Sequence, residues 1–443
     1  MTQTDLLIIG SGPGGYQAAA YAARQGLRVV IAEERMVGGT CLNCGCIPTK
    51  ALIHDAAQAT GDPAEGARRL EAAIRRKDQL VGNLRAGVEA LLSQPGISRV
   101  QGHAAFLSPC TIQVGDNVFT ANDVIIATGS RAKIPPVEGL TPDEVLANPH
   151  VVTSRQLLAQ ATLPRRLCIV GAGVIGLEMA SAFRSLGSEV TVIEYMKECL
   201  PAMDQEMARR LRKALEKQGV TFHMGCSLLR VEGDTVTYSN LKKGTAETLQ
   251  ADSILVASGR QANVDALGLT NTPVEVGKHG IVVNDNMLTT CPHVYAIGDA
   301  NGRQMLAHAA TFQGYRAVNH ILGRTDHIRL DIMPAAVFTR PEVASVGLTE
   351  DLCKQRAMAF TTHKAVYRAN GRAQATEAAD GLLKLVCDDQ GKVIGAHALG
   401  QEAAWLVQEM ASLMNFDVTL DRLAEIVHIH PTLGEILLDA ASH

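Results

Sequence analysis

Leu6-Leu7-Ile8-Ile9-Gly10-Ser11-Gly12-Pro13-Gly14-Gly15 is a short apolar run that breaks into a glycine-rich turn. The length and composition of the run predict a short buried strand. An alanine-rich stretch from about Tyr16 to Gln25 predicts a helix ended by Gly26, and Leu27–Ala32 reads as the next strand. Strand, turn, helix and strand make a βαβ unit. Within the turn, Gly10-x-Gly12-x-x-Gly15 has the spacing of a dinucleotide fingerprint. The first glycine allows a tight turn, the second lets backbone approach a pyrophosphate, and the third lets the helix pack close to the strand. The helix start adds unpaired N–H groups and partial positive charge. Glu33, closing the second strand, can accept from both ribose hydroxyls.

The pattern returns. Leu167–Val170 leads into Gly171-Ala172-Gly173-Val174-Ile175-Gly176, a helix to Leu186, then Gly187 and the strand Glu189–Ile193. The acid Glu194 stands 23 residues after its first glycine, as Glu33 does (194 − 171 and 33 − 10). Each copy ends in a β-branched strand running into a glycine: Val124–Gly129 and Ile254–Gly259. Glu194 would repel a 2′-phosphate, and Tyr195-Met196-Lys197 supplies no arginine pair, which favours NAD over NADP. Two such sites suggest one tightly held dinucleotide and one that exchanges. Copy one is 31 residues longer than copy two, and the insertion falls within Gly38 to about Leu92. It carries a helix striped by Leu70, Ile74, Val81, Leu84, Val88 and Leu91. Arg68, Arg69, Arg75, Arg76 and Lys77 are expected on its solvated face.

The remaining composition fits this frame. The 443 residues suggest roughly three domains. With 47% hydrophobic and 19% charged residues, the chain can bury large cores. A net charge of −4, from 41 basic and 45 acidic residues, argues against a dedicated nucleic-acid binder. No apolar stretch reaches the ~20 residues of a membrane span, and no signal peptide is expected before Asp5. Ten cysteines are too few for a disulfide scaffold and suit a reducing, cytoplasmic setting. After Ile332-Met333-Pro334, strands at Ala335–Phe338, Leu382–Cys387 and Val393–Leu399 alternate with helices, as in a separate α+β domain.

Gly38-Gly39-Thr40-Cys41-Leu42-Asn43-Cys44-Gly45-Cys46-Ile47-Pro48-Thr49-Lys50 holds three cysteines in six residues. They could be half a zinc site, part of an iron–sulfur site, or a redox disulfide with a third thiol beside it. Zinc wants a second ligand pair and an iron–sulfur set four cysteines, yet no other Cys-x-x-Cys exists and the next cysteine is Cys110. No metal is expected. A redox disulfide exchanging electrons with a flavin needs only two of them. His428-x-His430 near the C-terminus could be a metal pair, plain packing, or a base held by Glu435 five residues on.

The chain resembles the flavin-dependent pyridine-nucleotide disulfide oxidoreductases, and most their dihydrolipoamide-oxidising branch. Cys41-Leu-Asn-x-Gly-Cys46-Ile-Pro-Thr-Lys50 matches that family's redox motif. Gly187–Glu194, Tyr295-Ala-Ile-Gly-Asp299, Met305-Leu-Ala-His308, Arg340–Gly347 and His430-Pro-Thr-x-x-Glu435 match further motifs. The resemblance implies an α/β fold of two duplicated Rossmann-like domains and a C-terminal α+β dimerisation domain. Its divisions are an FAD domain with the disulfide insertion at 1–149, an NAD domain at 150–262, a region completing the FAD site at 263–330, and a dimerisation domain at 331–443. It implies Cys41 as the interchange thiol, Cys46 as the thiol beside the flavin, and Lys50 paired with Glu178. His430 and Glu435 would complete the site of the other subunit of a homodimer.

The resemblance also implies the cofactor contacts. FAD would meet Gly10, Gly12, Pro13, Gly14, Gly15, Glu33, Gly39, Thr40, Lys50, Ala104, Thr128, Gly129, Asp299, Leu306 and Ala307. NAD would meet Gly171, Gly173, Val174, Ile175, Gly176, Glu194, Val231 and Gly259. The implied partners are lipoyl domains of the E2 acyltransferase of 2-oxoacid dehydrogenase complexes, or the glycine-cleavage H protein. Cys44 reads as a small filler and His428 as structural, while Trp405 is expected at an interface.

Overall fold

Leu6, Leu7 and Ile8 are fully buried, as expected of a strand with apolar residues on both faces. They belong to the strand Thr2–Ile9 in a computed structural model that describes residues 2–442. The chain divides into two compact units. The first comprises 1–52, 72–133 and 259–330, and the second 53–71, 134–258 and 331–443.

In the first unit Thr2–Ile9 pairs in parallel with Val29–Glu33 on one side and Asn117–Ile126 on the other. Ile97–Gln101 and Val294–Ala296 extend the parallel sheet outward, and Ala104–Ser108 and Thr111–Val114 add an antiparallel hairpin. Helix Pro13–Arg24 begins where the Gly-rich turn ends. It packs small against small: a Cβ on Gly14 would lie 3.0 Å from the Ala310 carbonyl oxygen, and one on Gly314 would lie 3.1 Å from Ala18. This close approach brings helix Ala307–Ile321 beside the nucleotide loop.

In the second unit Arg166–Val170 is the centre of a five-stranded parallel sheet, flanked by Glu189–Glu194 and Ser253–Val256. Cys226–Gln250 forms a three-stranded antiparallel meander that the sequence reading did not resolve. The C-terminal region is a five-stranded antiparallel sheet, from Ala335–Val337 to Thr361–Val366, with helix Ala403–Met414 against it. Its core is separate, built on Leu383, Leu385, Val407 and Met410 among others.

The inserted helix runs Pro63–Leu91. One expectation for it fails: Lys77 is buried, not solvated, while Arg68, Arg75 and Arg76 are exposed. At 3.6 residues per turn, position 77 falls on the same face as Leu70, Ile74 and Val81. The ammonium escapes by reaching Asp78, 2.7 Å away. Leu84, counted in the apolar stripe, is 40% exposed. Among the described residues no helix is long and apolar enough to cross a membrane.

Candidate active site

The two nucleotide loops share the same local geometry. Gly10 (φ +101°) and Gly171 (φ +110°) hold a backbone conformation that disfavours side chains, and an added Cβ would meet Ala127 O at 2.4 Å or Ala257 O at 2.5 Å. A Cβ on Gly15 would sit 1.9 Å from Gly10 O, and one on Gly176 2.0 Å from Gly171 O. These glycines are required by the fold itself. Gly15→Ala and Gly176→Ala should therefore both fail to give stable protein, read as loss of soluble yield.

Gly12 and Gly173 differ. They cap their helices in ordinary extended backbone, and a Cβ there would meet only Gly39 Cα at 4.0 Å, or nothing. The protein leaves these positions open, which suits a phosphate group approaching uncapped helix starts. The acids are held alike. Glu33 accepts from the Ser11 and Arg35 N–H groups (2.9 and 2.8 Å), and Glu194 from the Ala172 and Met196 N–H groups (2.6 and 2.7 Å). Each carboxylate is fixed at the loop's edge, with lone pairs left for a ribose. Both loops fit a dinucleotide.

Gly39 ties the cysteines to the first loop, since its added Cβ would be 2.7 Å from Gly12 Cα. A short helix, Gly39–Cys44, carries Cys41 and Cys44 one turn apart. Asn43 pins it: its Nδ2 donates to the Val37 and Gly39 carbonyls, each at 2.9 Å, and its Oδ1 accepts from Arg85. The chain then doubles back at Gly45, whose added Cβ would be 2.9 Å from Thr40 O and 3.3 Å from Cys41 Cα. That turn starts helix Cys46–Ala56 beside Cys41.

Cys41 and Cys46 therefore stand side by side across the turn at Gly45. A hydrogen bond with Cys46, and then burial, pushes the Cys41 thiol far above its ordinary range. Lys50 lies one turn after Cys46 on the same helix, and its charge opposes that rise.

Asp299 sits in the turn Gly298–Ala300. Its carboxylate accepts from the Ser130 hydroxyl and lies 3.8 Å from Arg260 Nε, which itself donates to Ser130. Gln313 holds the turn from beneath, fully buried, accepting from the Gly298 N–H (2.7 Å) and Asn301 Nδ2 (2.9 Å). Sequence reading missed Ser130 and Arg260 because neither lies in a motif, and it marked Gln313 only as part of Phe312-Gln313, where the resembled family more often has acidic residues. Gln313→Leu should loosen this turn and weaken FAD retention, measured as flavin loss on gel filtration. Thr128 donates to Asn263 O (2.7 Å), beside Gly129. Helix Ala307–Ile321 starts after Leu306 without a side-chain cap.

The other expected residues are placed as follows. Ala104 is buried in its hairpin opposite Val114. Val231 is buried in the meander, with its N–H given to Glu138 O at 2.9 Å. Glu178 is buried in helix Val174–Ser185, and its Oε1 accepts from the Phe338 N–H at 2.9 Å. His430 is 80% exposed, with Nδ1 2.9 Å from Glu435 Oε1. The Thr432 N–H and then His430 hold Glu435 below the usual carboxylate range, so it stays ionised. Nδ1 is therefore the protonated nitrogen opposite a carboxylate, and Nε2 is left to accept a proton. His428 is held between Ile426 O and Glu409, each at 3.0 Å.

Comparison with known proteins adds relatives over the full length. Residues 4–314 match the family model for pyridine nucleotide-disulphide oxidoreductases, and residues 333–441 match that family's dimerisation domain. Dihydrolipoyl dehydrogenase 1, mitochondrial, of Arabidopsis thaliana is 37% identical over 99% of this chain and 90% of its own. Dihydrolipoyl dehydrogenase 3 of Pseudomonas putida is 35% identical over 100% and 98%. Among solved structures, the HOCl-induced flavoprotein disulfide reductase RclA of Escherichia coli superposes with a TM-score of 0.87 at 29% identity, covering 99% of both chains.

Proposed function

This chain belongs to the pyridine nucleotide-disulphide oxidoreductase family, and on that premise we propose that it is a dihydrolipoyl dehydrogenase. It oxidises protein-bound dihydrolipoamide to lipoamide with NAD⁺. The observation that carries this reading is the full-length similarity to dihydrolipoyl dehydrogenases, joined to Cys41 and Cys46 brought together across the turn at Gly45.

The chain's own residues account for the thiol chemistry. With Cys41 and Cys46 oxidised to a disulfide, His430 of one subunit takes a proton from the dithiol bound at the other. The substrate thiolate attacks Cys41 Sγ, forming a mixed disulfide and releasing Cys46 as a thiolate that Lys50 stabilises. The second substrate thiol attacks its own mixed disulfide, closing the cyclic product and returning Cys41 as the thiol. Bound FAD and NAD⁺ supply the electron and hydride chemistry that reopens the cycle. Glu435 keeps the imidazole in one tautomer and stabilises its cation. Glu435→Gln should lower kcat at every pH while leaving KM for NAD⁺ unchanged, in steady-state assays.

The dimerisation domain supports a homodimer. Exposed Val427 and Ile429, 95% and 79%, lie on either side of His428 and just before His430, and Trp405 is 75% exposed. Apolar side chains so placed suit burial against a second copy. We assign the lipoyl domains of an acyltransferase complex or the glycine-cleavage H protein as donors, in the cytoplasm. The likeness to a disulfide reductase favours one second reading, an NADH-dependent reductase of another disulfide. Turnover of dihydrolipoamide with NAD⁺ tests the first, and turnover of glutathione disulfide with NADH the second. Activity only in the latter assay overturns the proposal.

Exchanging Glu194 for Ala should narrow the preference for NAD⁺ over NADP⁺. The carboxylate that would repel a 2′-phosphate is gone. The ratio of kcat/KM values for the two cofactors measures it.

A further inference from the structure

We propose that Cys41 has two alternative disulfide partners, Cys46 and Cys44, and that pairing with Cys44 parks the enzyme in an inactive isomer. The inference rests on the reading of Cys41–Cys46 as the working disulfide.

The geometry gives Cys41 two neighbours by two different routes. Gly45 folds the chain back so that Cys46 meets Cys41 across the turn. Cys44 is reached along the helix Gly39–Cys44 itself, three residues on from Cys41. Residues at that spacing share a face, with Cβ atoms about 5–6 Å apart. A disulfide needs about 4 Å between Cβ atoms, so the pair must close by about 1–2 Å. Cys44 is the last residue of a six-residue helix and is followed by Gly45, so a small unwinding of that final turn supplies the movement. Asn43 and Arg85 hold the rest of the helix in place, so the movement is confined to its end. Cys41 and Cys44 are both part-exposed, unlike the six fully buried cysteines elsewhere in the chain.

The step is an exchange and needs no external oxidant. The Cys44 thiolate attacks Sγ of Cys41 in the Cys41–Cys46 disulfide. The Cys41–Cys44 bond forms, the Cys41–Cys46 bond breaks, and Cys46 leaves as a thiolate that takes up the proton Cys44 gave to solvent. The number of disulfides and thiols is unchanged. In the parked isomer substrate attack on Cys41 releases Cys44 in place of Cys46, so the first turnover is delayed until a dithiol has reopened Cys41–Cys44.

The test uses FAD-loaded holoenzyme, incubated oxidised, quenched in acid and alkylated. Cleavage after Arg35 and Lys50 puts all three cysteines in one peptide, where fragmentation locates the label. Wild type should carry label on Cys44 in one population and on Cys46 in another. Initial rates should fall during the incubation and return on prior treatment with dithiothreitol, and Cys44→Ser should remove that loss. Label confined to Cys44, with no slow loss of activity, overturns the proposal.

Cys46→Ser provides a direct second arm. With lipoamide, the mixed disulfide on Cys41 should be resolved by Cys44, leaving the peptide lighter by two hydrogens. A stable lipoamide adduct on Cys41 overturns it. Diamide separates the two readings: if lipoamide is inert but diamide still closes Cys41–Cys44, the pairing stands and the assigned substrate falls. If diamide leaves both thiols open to alkylation, the pairing itself is wrong.

Discussion

Replacing His430 with alanine should lower turnover of dihydrolipoamide by about 10²–10⁴-fold, the contribution expected of a positioned general base. The size of the effect follows from Cys41. Its thiol is pushed up by the hydrogen bond with Cys46 and by burial. Thiol exchange runs through thiolates, and a proton must be taken from the incoming substrate and returned to Cys41. His430 is equipped for this, with Nδ1 held by an ionised Glu435 and the ring 80% exposed. Mixing inactive Cys41→Ser with inactive His430→Ala makes the prediction sharper. If each site draws its base from the other subunit, a heterodimer contains one intact site and one doubly damaged site. Turnover should reappear as subunits exchange. Verified heterodimers without recovered activity would sink the shared site.

The second large effect concerns stability. Lys384 is 2% exposed inside the strand Leu382–Cys387 of the C-terminal sheet. Its ammonium lies 3.0 Å from Asp204, 2.9 Å from Glu206 and 2.7 Å from Glu350, and Asp204 is equally buried. Lys384→Met leaves these carboxylates crowded together without their shared cation. Removing one partner of a buried ion pair costs about 3–5 kcal/mol, because the remaining charge cannot be resolvated. A loss of that size should lower Tm by about 10 °C in calorimetry. A Tm within a degree or two of wild type would show that water reaches the cluster.

The same cluster sets an acid limit. Burial pushes the Glu206 carboxyl up, but Lys364 and Lys384 more than offset this and hold it at about 2, below its ordinary 4.5. A depressed carboxylate stabilises the fold fully above its unfolded pKa. Its contribution is lost as pH falls from about 4.5 to about 2. Lys384→Met should therefore flatten the dependence of Tm on pH within that window.

Much of the molecule was legible from residue types alone. The two Gly-rich turns were readable because their requirement is local: a Cβ at Gly15 or Gly176 collides with the chain five residues back. Both acids stand 23 residues on from a glycine, and both end up bonded to the residue after that glycine. Resemblance, more than physics, singled out Cys46, His430 and Glu435. Spacing alone left a metal or plain packing open.

Lys77 shows where local reading stops. Charge suggested solvent, but helix periodicity placed it on the buried face, and only the packed helix decided between them. Gln313, Ser130 and Arg260 belong to the same class. They converge on the turn around Asp299 from as far as 169 residues away, and no window of sequence contains that meeting. Lys384 is the strongest case. Inside the strand Leu382–Cys387 it looks like a misplaced charge, and its three carboxylates come from Asp204, Glu206 and Glu350, far along the chain. Sequence determined what each short segment must do to satisfy its own backbone and its own spacing. Tertiary structure decided which distant charges and amides would share a buried space, because the cost of an unpaired polar group is settled only when the segments meet.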